Sequence, residues 1–190
     1  MNTDEQLVDA AQQGSEAAFG ELVLRYREKL FRFLLTRCTS HADAEDAIQD
    51  TFVNAYRYLD SFNPRWRFST WLYRIAIRNA MRQPVGVQQA DGSHVDAIAD
   101  ECSGPLDQCI VRNDRENLWL TAKQVLAPDA FTAMWLHYVE DMPVKEVSRA
   151  LNRSLSWTKV TMLRGRKKLT QDLNREKTGN ATKAGSRSYG

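Results

Sequence analysis

Residues 143–169 read PVKEVSRALNRSLSWTKVTMLRGRKKL. A short apolar-patterned segment leads into a tight turn at Asn152-Arg153-Ser154, and a longer segment then carries Lys159, Arg164, Arg166, Lys167 and Lys168. Two helices at a steep angle, the second basic, are what sets a helix into a DNA major groove. In that second helix Leu155, Thr158, Met162, Gly165 and Leu169 recur at packing spacing. Lys159, Val160, Leu163, Arg164 and Lys167 then face outward together. A basic run at a helix end is also an ordinary solvated terminus favoured by the helix dipole. The helix and turn that precede it favour the DNA reader.

Outward from this segment, nearly every patterned stretch has helical period, and no alternating strand stands out. Thr3-Asp4-Glu5-Gln6 is a capping-box pattern. Phe19, Leu22, Val23, Tyr26, Leu30, Phe33 and Leu34 form one long amphipathic stripe. Ser40 is an N-cap with Asp43 in the first turn. On that helix Ala44, Ile48, Thr51, Ala55 and Leu59 form the buried stripe, and Asp46, Gln49, Asp50, Val53 and Arg57 share another face. Asn63-Pro64 breaks the chain, because the residue before proline is pushed out of the α region. A further helix is expected over 68–82, then from about Arg115 to Leu126. Pro128 and Pro143 both suit first helical positions.

Charge divides the chain. Its net formal charge is +2, but residues 1–83 are neutral, 84–127 sum to −4 and 128–190 to +6. Residues 84–113 hold Pro84, Gly86, Gly92, Ser93, Gly104 and Pro105 with little periodicity. The expectation is an all-α chain. A first domain spans 1–83, a flexible acidic linker 84–111 and a helix-turn-helix domain 112–173. A disordered tail is expected at 174–190, Gly/Ser/Thr/Lys-rich from about Thr178.

The stretch Arg65–Arg82, RWRFSTWLYRIAIRNAMR, carries five arginines and no acid. Arg74, Arg78 and Arg82 recur at i, i+4, i+8, with Trp66, Phe68, Trp71 and Tyr73 interleaved. Arginine satisfies phosphates through paired donors, and aromatics stack on unpaired bases. That mixture suits a single-stranded nucleic acid. It equally suits an amphipathic helix with a solvated Arg face and a buried aromatic face. The acids Asp43, Glu45, Asp46 and Asp50 read as a solvated face or as a docking face for a basic partner, with no histidine company for a metal.

Enzymatic chemistry finds no support. There is no P-loop, GxGxxG or GxSxG, and His41 and His137 have no catalytic company. Neither cofactor nor metal is expected. His94, Cys102 and Cys109 are too widely spaced for zinc. Three cysteines, with Cys38, give an odd count without framework spacing, which fits a reducing cytoplasm. No apolar run approaches the ~18 residues of a membrane span.

With both halves read, the chain resembles the extracytoplasmic-function (group 4) sigma factors of bacterial RNA polymerase, over about residues 4–172. The resemblance rests on DAEDAIQDTFVNAYRYLDSF (43–62), on FSTWLYRIA (68–76), and on the layout of 125–169 ending in LRGRKKL. It implies a two-domain, all-helical initiation factor whose first domain docks on the polymerase's largest subunit through Asp46, Gln49, Asp50 and Asn54. It implies capture of melted minus-ten DNA by Arg65, Trp66, Arg67, Trp71, Arg74, Arg78, Asn79 and Arg82. It implies minus-thirty-five readout by Trp157, Lys159, Val160, Thr161, Leu163, Arg164 and Lys167. The implied partners are core RNA polymerase, promoter DNA as duplex and as melted strand, and an anti-sigma factor. No direct membrane insertion is implied.

Three departures stand out. After RIA the family has x-Asn, whereas here Asn79 comes one residue late, behind Arg78. At the start of the recognition helix the family has a Gly-Thr-Val-Lys-Ser-Arg pattern, and of Ser156-Trp157-Thr158-Lys159-Val160-Thr161 only Lys159 holds its place. Asn152 replaces the usual turn glycine, which it can do because Asn accepts positive φ. Divergent minus-thirty-five readout is therefore expected. The rivals are a stand-alone helix-turn-helix regulator, which would dimerise on a palindrome, and a helical interaction protein whose basic face is merely solvated. Neither needs an Arg/aromatic helix beside an acidic one.

Overall fold

The computed structural model describes residues 2–82 and 118–185, and every regular element among them is helical. The expected linker at 84–111, with His94, Cys102 and Cys109, lies outside the described residues, as does 186–190.

Helix starts follow the capping residues. α1 (Asp4–Gln12) opens on a full capping box, with the Gln6 amide N–H donating to Thr3 Oγ1 (3.3 Å) and the Thr3 N–H donating to Gln6 Oε1 (2.9 Å). Gly14 then takes φ +96°, the left-handed region open to glycine, and Ser15 caps α2 (Glu16–Leu35). α3 (His41–Arg57) has a second capping box, between Ser40 and Asp43. Hydrogen bonds from the Thr39 hydroxyl and then Ser40 hold the Asp43 carboxyl below its usual range. A 3-10 turn, Leu59–Ser61, and an extended loop lead to α4 (Phe68–Arg82).

The second half contains α5 (118–125), α6 (Pro128–Tyr138), α7 (Val144–Ala150) and α8 (Leu155–Gly185). Pro128 is the first residue of α6 as expected. Pro143 is not at a first helical position but one residue earlier, at the N-cap, where its carbonyl accepts from the Val147 N–H at 3.0 Å. The turn between α7 and α8 takes positive φ at Asn152, 54°. Ser154 immediately precedes α8, and its Oγ accepts from the Trp157 N–H at 3.2 Å. It continues through Gly185, across residues expected from their composition to form a disordered tail. The Arg, Lys, Glu, Gln and Asn of 171–180 are compatible with propagating a helix already nucleated by packing upstream.

By packing, the described residues form two units. One holds α1 to α4 together with Thr132–Leu163; the other holds 118–131 and the chain from Arg164. The core of the first unit is built from Leu7 and Val8 of α1, Leu22, Leu30, Phe33 and Leu34 of α2, and Ala44, Ala47, Ile48 and Ala55 of α3. α4 adds Phe68, Leu72, Tyr73, Ala76 and Ile77. Small residues on α3 let its axis come close to α2 and α4, while the rings of Phe33 and Tyr73 meet edge-on at 5.3 Å. Full burial of each large apolar side chain stabilises the fold by roughly 1.5–3 kcal/mol. In the second unit the Trp119 ring meets Phe131 edge-on at 5.7 Å, beside buried Ala122, Leu126 and Ala130. None of the described helices is long and apolar enough to cross a membrane.

Candidate nucleic-acid interface

The face of α3 away from the core is acidic and polar. Asp46, Gln49 and Asp50 are all exposed, while Ala44, Ala47, Ile48, Thr51 and Ala55 are buried. Asn54, at the edge of this face, is half-buried, and its Nδ2 reaches Asn79 Oδ1 at 3.4 Å. Val53, Tyr56 and Tyr58 are also more than half exposed, an apolar end to the acidic face. The sequence reading placed Val53 there but missed the two tyrosines: Tyr56 follows Gln49 by two helical turns on the same stripe, and Tyr58 is the C-cap of the helix.

The loop before α4 is held by Asn63. Its Oδ1 accepts from the Arg65 N–H at 3.0 Å and its carbonyl from the Trp66 N–H at 3.0 Å. Arg65 and Arg67 project into solvent, while Trp66 is half-buried. The Arg74 guanidinium lies 5.5 Å from the Trp66 ring centre, within cation–π range. Trp71 is half-buried in an aromatic group with Phe62 (5.5 Å) and Phe68 (5.8 Å). Arg78 is exposed; the Arg82 side chain lies outside the described residues.

Asn79 departs from expectation. It is 7 % exposed, and its Nδ2 donates to Thr51 Oγ1 at 3.2 Å. Thr51 in turn donates to the Ala47 carbonyl at 2.6 Å. One residue along a helix is a rotation of about 100°, so the residue after exposed Arg78 turns into the α3–α4 seam. Asn79 therefore joins two core helices and is not on the arginine face.

The same face of α4 meets α7 within the first unit. Thr70 is fully buried, and its Oγ1 donates to Glu146 Oε2 at 2.9 Å. Glu146 also pairs with Arg149, whose guanidinium lies 5.8 Å from Trp66 on α4's approach loop. Arg74 Nη2 donates to Asn152 Oδ1 at 3.4 Å. Nearby, burial raises the Glu140 carboxyl above its usual range, and burial followed by the Glu140 charge raises the Tyr73 hydroxyl. Pairings across more than sixty residues leave no periodic trace in a sequence, and none of these was foreseen.

On α8 the expected division of faces holds with one exception. Thr158, Met162, Gly165 and Leu169 are buried, and Lys159, Val160, Leu163, Arg164 and Lys167 are exposed. Leu155, expected in the packed stripe, is 40 % exposed, because it is the first residue of the helix and stands over the turn. The hydroxyl of Thr158 is satisfied inside the fold by donation to the Ser154 carbonyl at 3.0 Å. Thr161 is half-buried. Trp157 is half-buried too, with the Arg153 guanidinium 5.0 Å from its ring centre.

Comparison with known proteins gives the family. Residues 22–83 match Sigma-70 region 2, and residues 117–169 match Sigma-70 region 4. The ECF RNA polymerase sigma-E factor of Escherichia coli K12 is 31% identical over 177 residues, covering 86% of this chain and 91% of the relative. The chain belongs to the ECF RNA polymerase sigma factors. Its counterpart from Haemophilus influenzae is 29% identical over 182 residues, covering 90% of this sigma factor and 95% of the relative. Two solved structures share the fold. CnrH in complex with the cytosolic domain of CnrY has TM-score 0.68 and 24% identity, covering 92% of this chain and 99% of that one. RpoE in complex with the anti-sigma factor NepR from Bartonella quintana has TM-score 0.60 and 21% identity, covering 82% and 96%. As an alternative sigma factor, this protein acts in transcription initiation.

Proposed function

We propose that this sigma factor divides promoter recognition between two helices and polymerase docking onto a third. Asp46, Gln49 and Asp50 on α3, with Asn54 at their edge, form the docking face for a basic surface of core RNA polymerase. Arg65, Trp66, Arg67, Trp71, Arg74, Arg78 and Arg82 capture the melted minus-ten strand. Trp157, Lys159, Val160, Thr161, Leu163, Arg164 and Lys167 read the minus-thirty-five duplex. The observation that carries this reading is the joint exposure of an acidic α3 face, of Arg65 and Arg67 in the loop that follows, and of Arg78 on α4. A solitary DNA-binding regulator needs no such pair.

Melting requires a base to leave the stack, at a cost of a few kcal/mol that stacking and pocket contacts must offset. An indole beside guanidinium groups supplies both a stacking plane and phosphate donors. The sigma factor performs no chemistry of its own and works in the cytoplasm, with residues 1–83, 84–111 and 112–173 as first domain, linker and second domain. An anti-sigma factor is its regulator. The test is run-off transcription with core polymerase on genomic fragments, followed by start-site mapping. Defined start sites that depend on this chain are expected. Duplex binding as a dimer without core polymerase, and no run-off product, would overturn the proposal.

A further inference from the structure

We infer that Val160 and Leu163 read thymine methyl groups in the minus-thirty-five major groove, and so determine part of this sigma factor's promoter specificity. The inference rests on the proposed role of α8 as the duplex reader. Val160 is 44 % exposed and Leu163 is 47 % exposed. They lie one helical turn apart, on the side opposite buried Thr158, Met162 and Leu169. Exposed cations flank them: Lys159 immediately before Val160, and Arg164 and Lys167 after Leu163. From Leu155 to Gln171 there is no acidic residue. The face is thus an apolar strip inside a positive frame.

That combination selects among ligands. A cationic frame requires a polyanion, and the apolar strip requires a hydrocarbon group at the centre of the contact. In the major groove the group that meets the second requirement is the 5-methyl of thymine, which apolar side chains contact directly. Neither residue can donate or accept a hydrogen bond, so neither can read guanine, adenine or the cytosine amino group. Of the flanking residues, Lys159, Arg164 and Lys167 can take phosphates or guanine edges.

The test uses holoenzyme reconstituted with core polymerase. A duplex pool randomised over the upstream element yields the preferred sequence. Each thymine in it is then replaced in turn by deoxyuridine, which lacks only the methyl group. At one or two positions the replacement should weaken binding about fourfold, the equivalent of one buried methylene. Val160→Ala or Leu163→Ala should bind the thymine and uracil duplexes equally. If no position is methyl-sensitive while Lys159→Ala and Arg164→Ala still weaken binding, the helix reads DNA without these two residues and the inference is overturned. If those lysine and arginine variants also bind normally, the duplex-reading role of α8 fails with it.

A second, independent observation concerns α7. We infer that α7 covers the minus-ten surface in the free protein and must leave before single-stranded DNA can enter; this rests on the proposed role of Trp66 and Arg74. Glu146 accepts from Thr70 at 2.9 Å, Arg149 lies 5.8 Å from the Trp66 ring centre, and Asn152 accepts from Arg74 at 3.4 Å. Glu146 and its partner Arg149 therefore hold α7 against α4 and against the Trp66 ring that the reading assigns to DNA. Thr70→Val removes the Glu146 bond without changing charge or volume. In the full-length free chain it should raise affinity for a mixed-sequence single-stranded 20-mer about threefold to tenfold, the net value of one hydrogen bond. Unchanged affinity, with Arg74→Ala weakening the same complex, would show that α7 is no gate. No effect of Arg74→Ala would remove the minus-ten reading itself.

Discussion

Replacement of Asn79 separates a structural role from a DNA-contact role. The side chain sits in the α3–α4 seam, donating to Thr51 at 3.2 Å and accepting from Asn54 at 3.4 Å. In Asn79→Ala the Thr51 oxygen loses its incoming donor inside the fold, at about 1 kcal/mol. Asn54 is half-buried and can turn to water, so its longer bond adds little. The space vacated at this buried position adds about another 1 kcal/mol. The sum of about 2 kcal/mol should lower the melting midpoint on the order of 10 °C for a domain of ~80 residues. Arg78, one residue earlier and exposed, should change stability by less than about 0.5 kcal/mol when truncated. Calorimetry and permanganate reactivity of the promoter, both on the full chain, distinguish the two. Asn79→Ala should melt early yet open the promoter at temperatures where it is folded. Arg78→Ala should melt normally and open it poorly. The reasoning is falsified if Asn79→Ala keeps its midpoint and loses promoter opening.

Four further outcomes follow from the geometry. The double variant Arg74→Ala/Arg78→Ala should bind core polymerase and fail to form open complexes; intact melting would remove the single-strand role of α4. Asp50→Lys should weaken core binding, and an unchanged pull-down affinity would count against the α3 docking face. Ser40→Ala should cost about 1 kcal/mol by breaking the α3 capping box, read as a lower melting midpoint; a midpoint unchanged across the transition would show that the cap is idle. Glu140 is raised above the ordinary carboxyl range by burial, so the folded state binds its proton more tightly than the unfolded state does. Its contribution to stability therefore falls as pH rises from the ordinary carboxyl range through the folded value. Glu140→Gln should melt higher than the parent at neutral pH and converge with it in acid. A gap that widens in acid would reverse the assignment.

The regular framework was legible because it depends on local chemistry. The capping box at Thr3 needs residues three apart, the N-cap at Ser40 needs one side-chain oxygen, and the stripes of α2, α3 and α8 need only a 3.6-residue period. The positive φ at Asn152 fits the resemblance, which puts a glycine at that turn, because Asn also tolerates it. The same local rules left open how far α8 runs, since composition alone read 174–185 as a tail. They also misjudged Asn79 and Leu155. A single residue's rotation about a helix axis decides whether it meets solvent or a neighbour, and that depends on where the neighbouring helix lies.

By itself, then, the sequence determined an all-helical chain with an acidic α3, an Arg/Trp stretch at 65–82 and a basic reading helix after a tight turn. Each of these is a property of residues close together along the chain. The tertiary structure alone decided that Asn79 ties α4 to α3, and that Thr70, Trp66 and Arg74 meet Glu146, Arg149 and Asn152 of the second half. Those partners are far apart in sequence, and only the packing of one helix on another brings such groups within hydrogen-bonding or cation–π range.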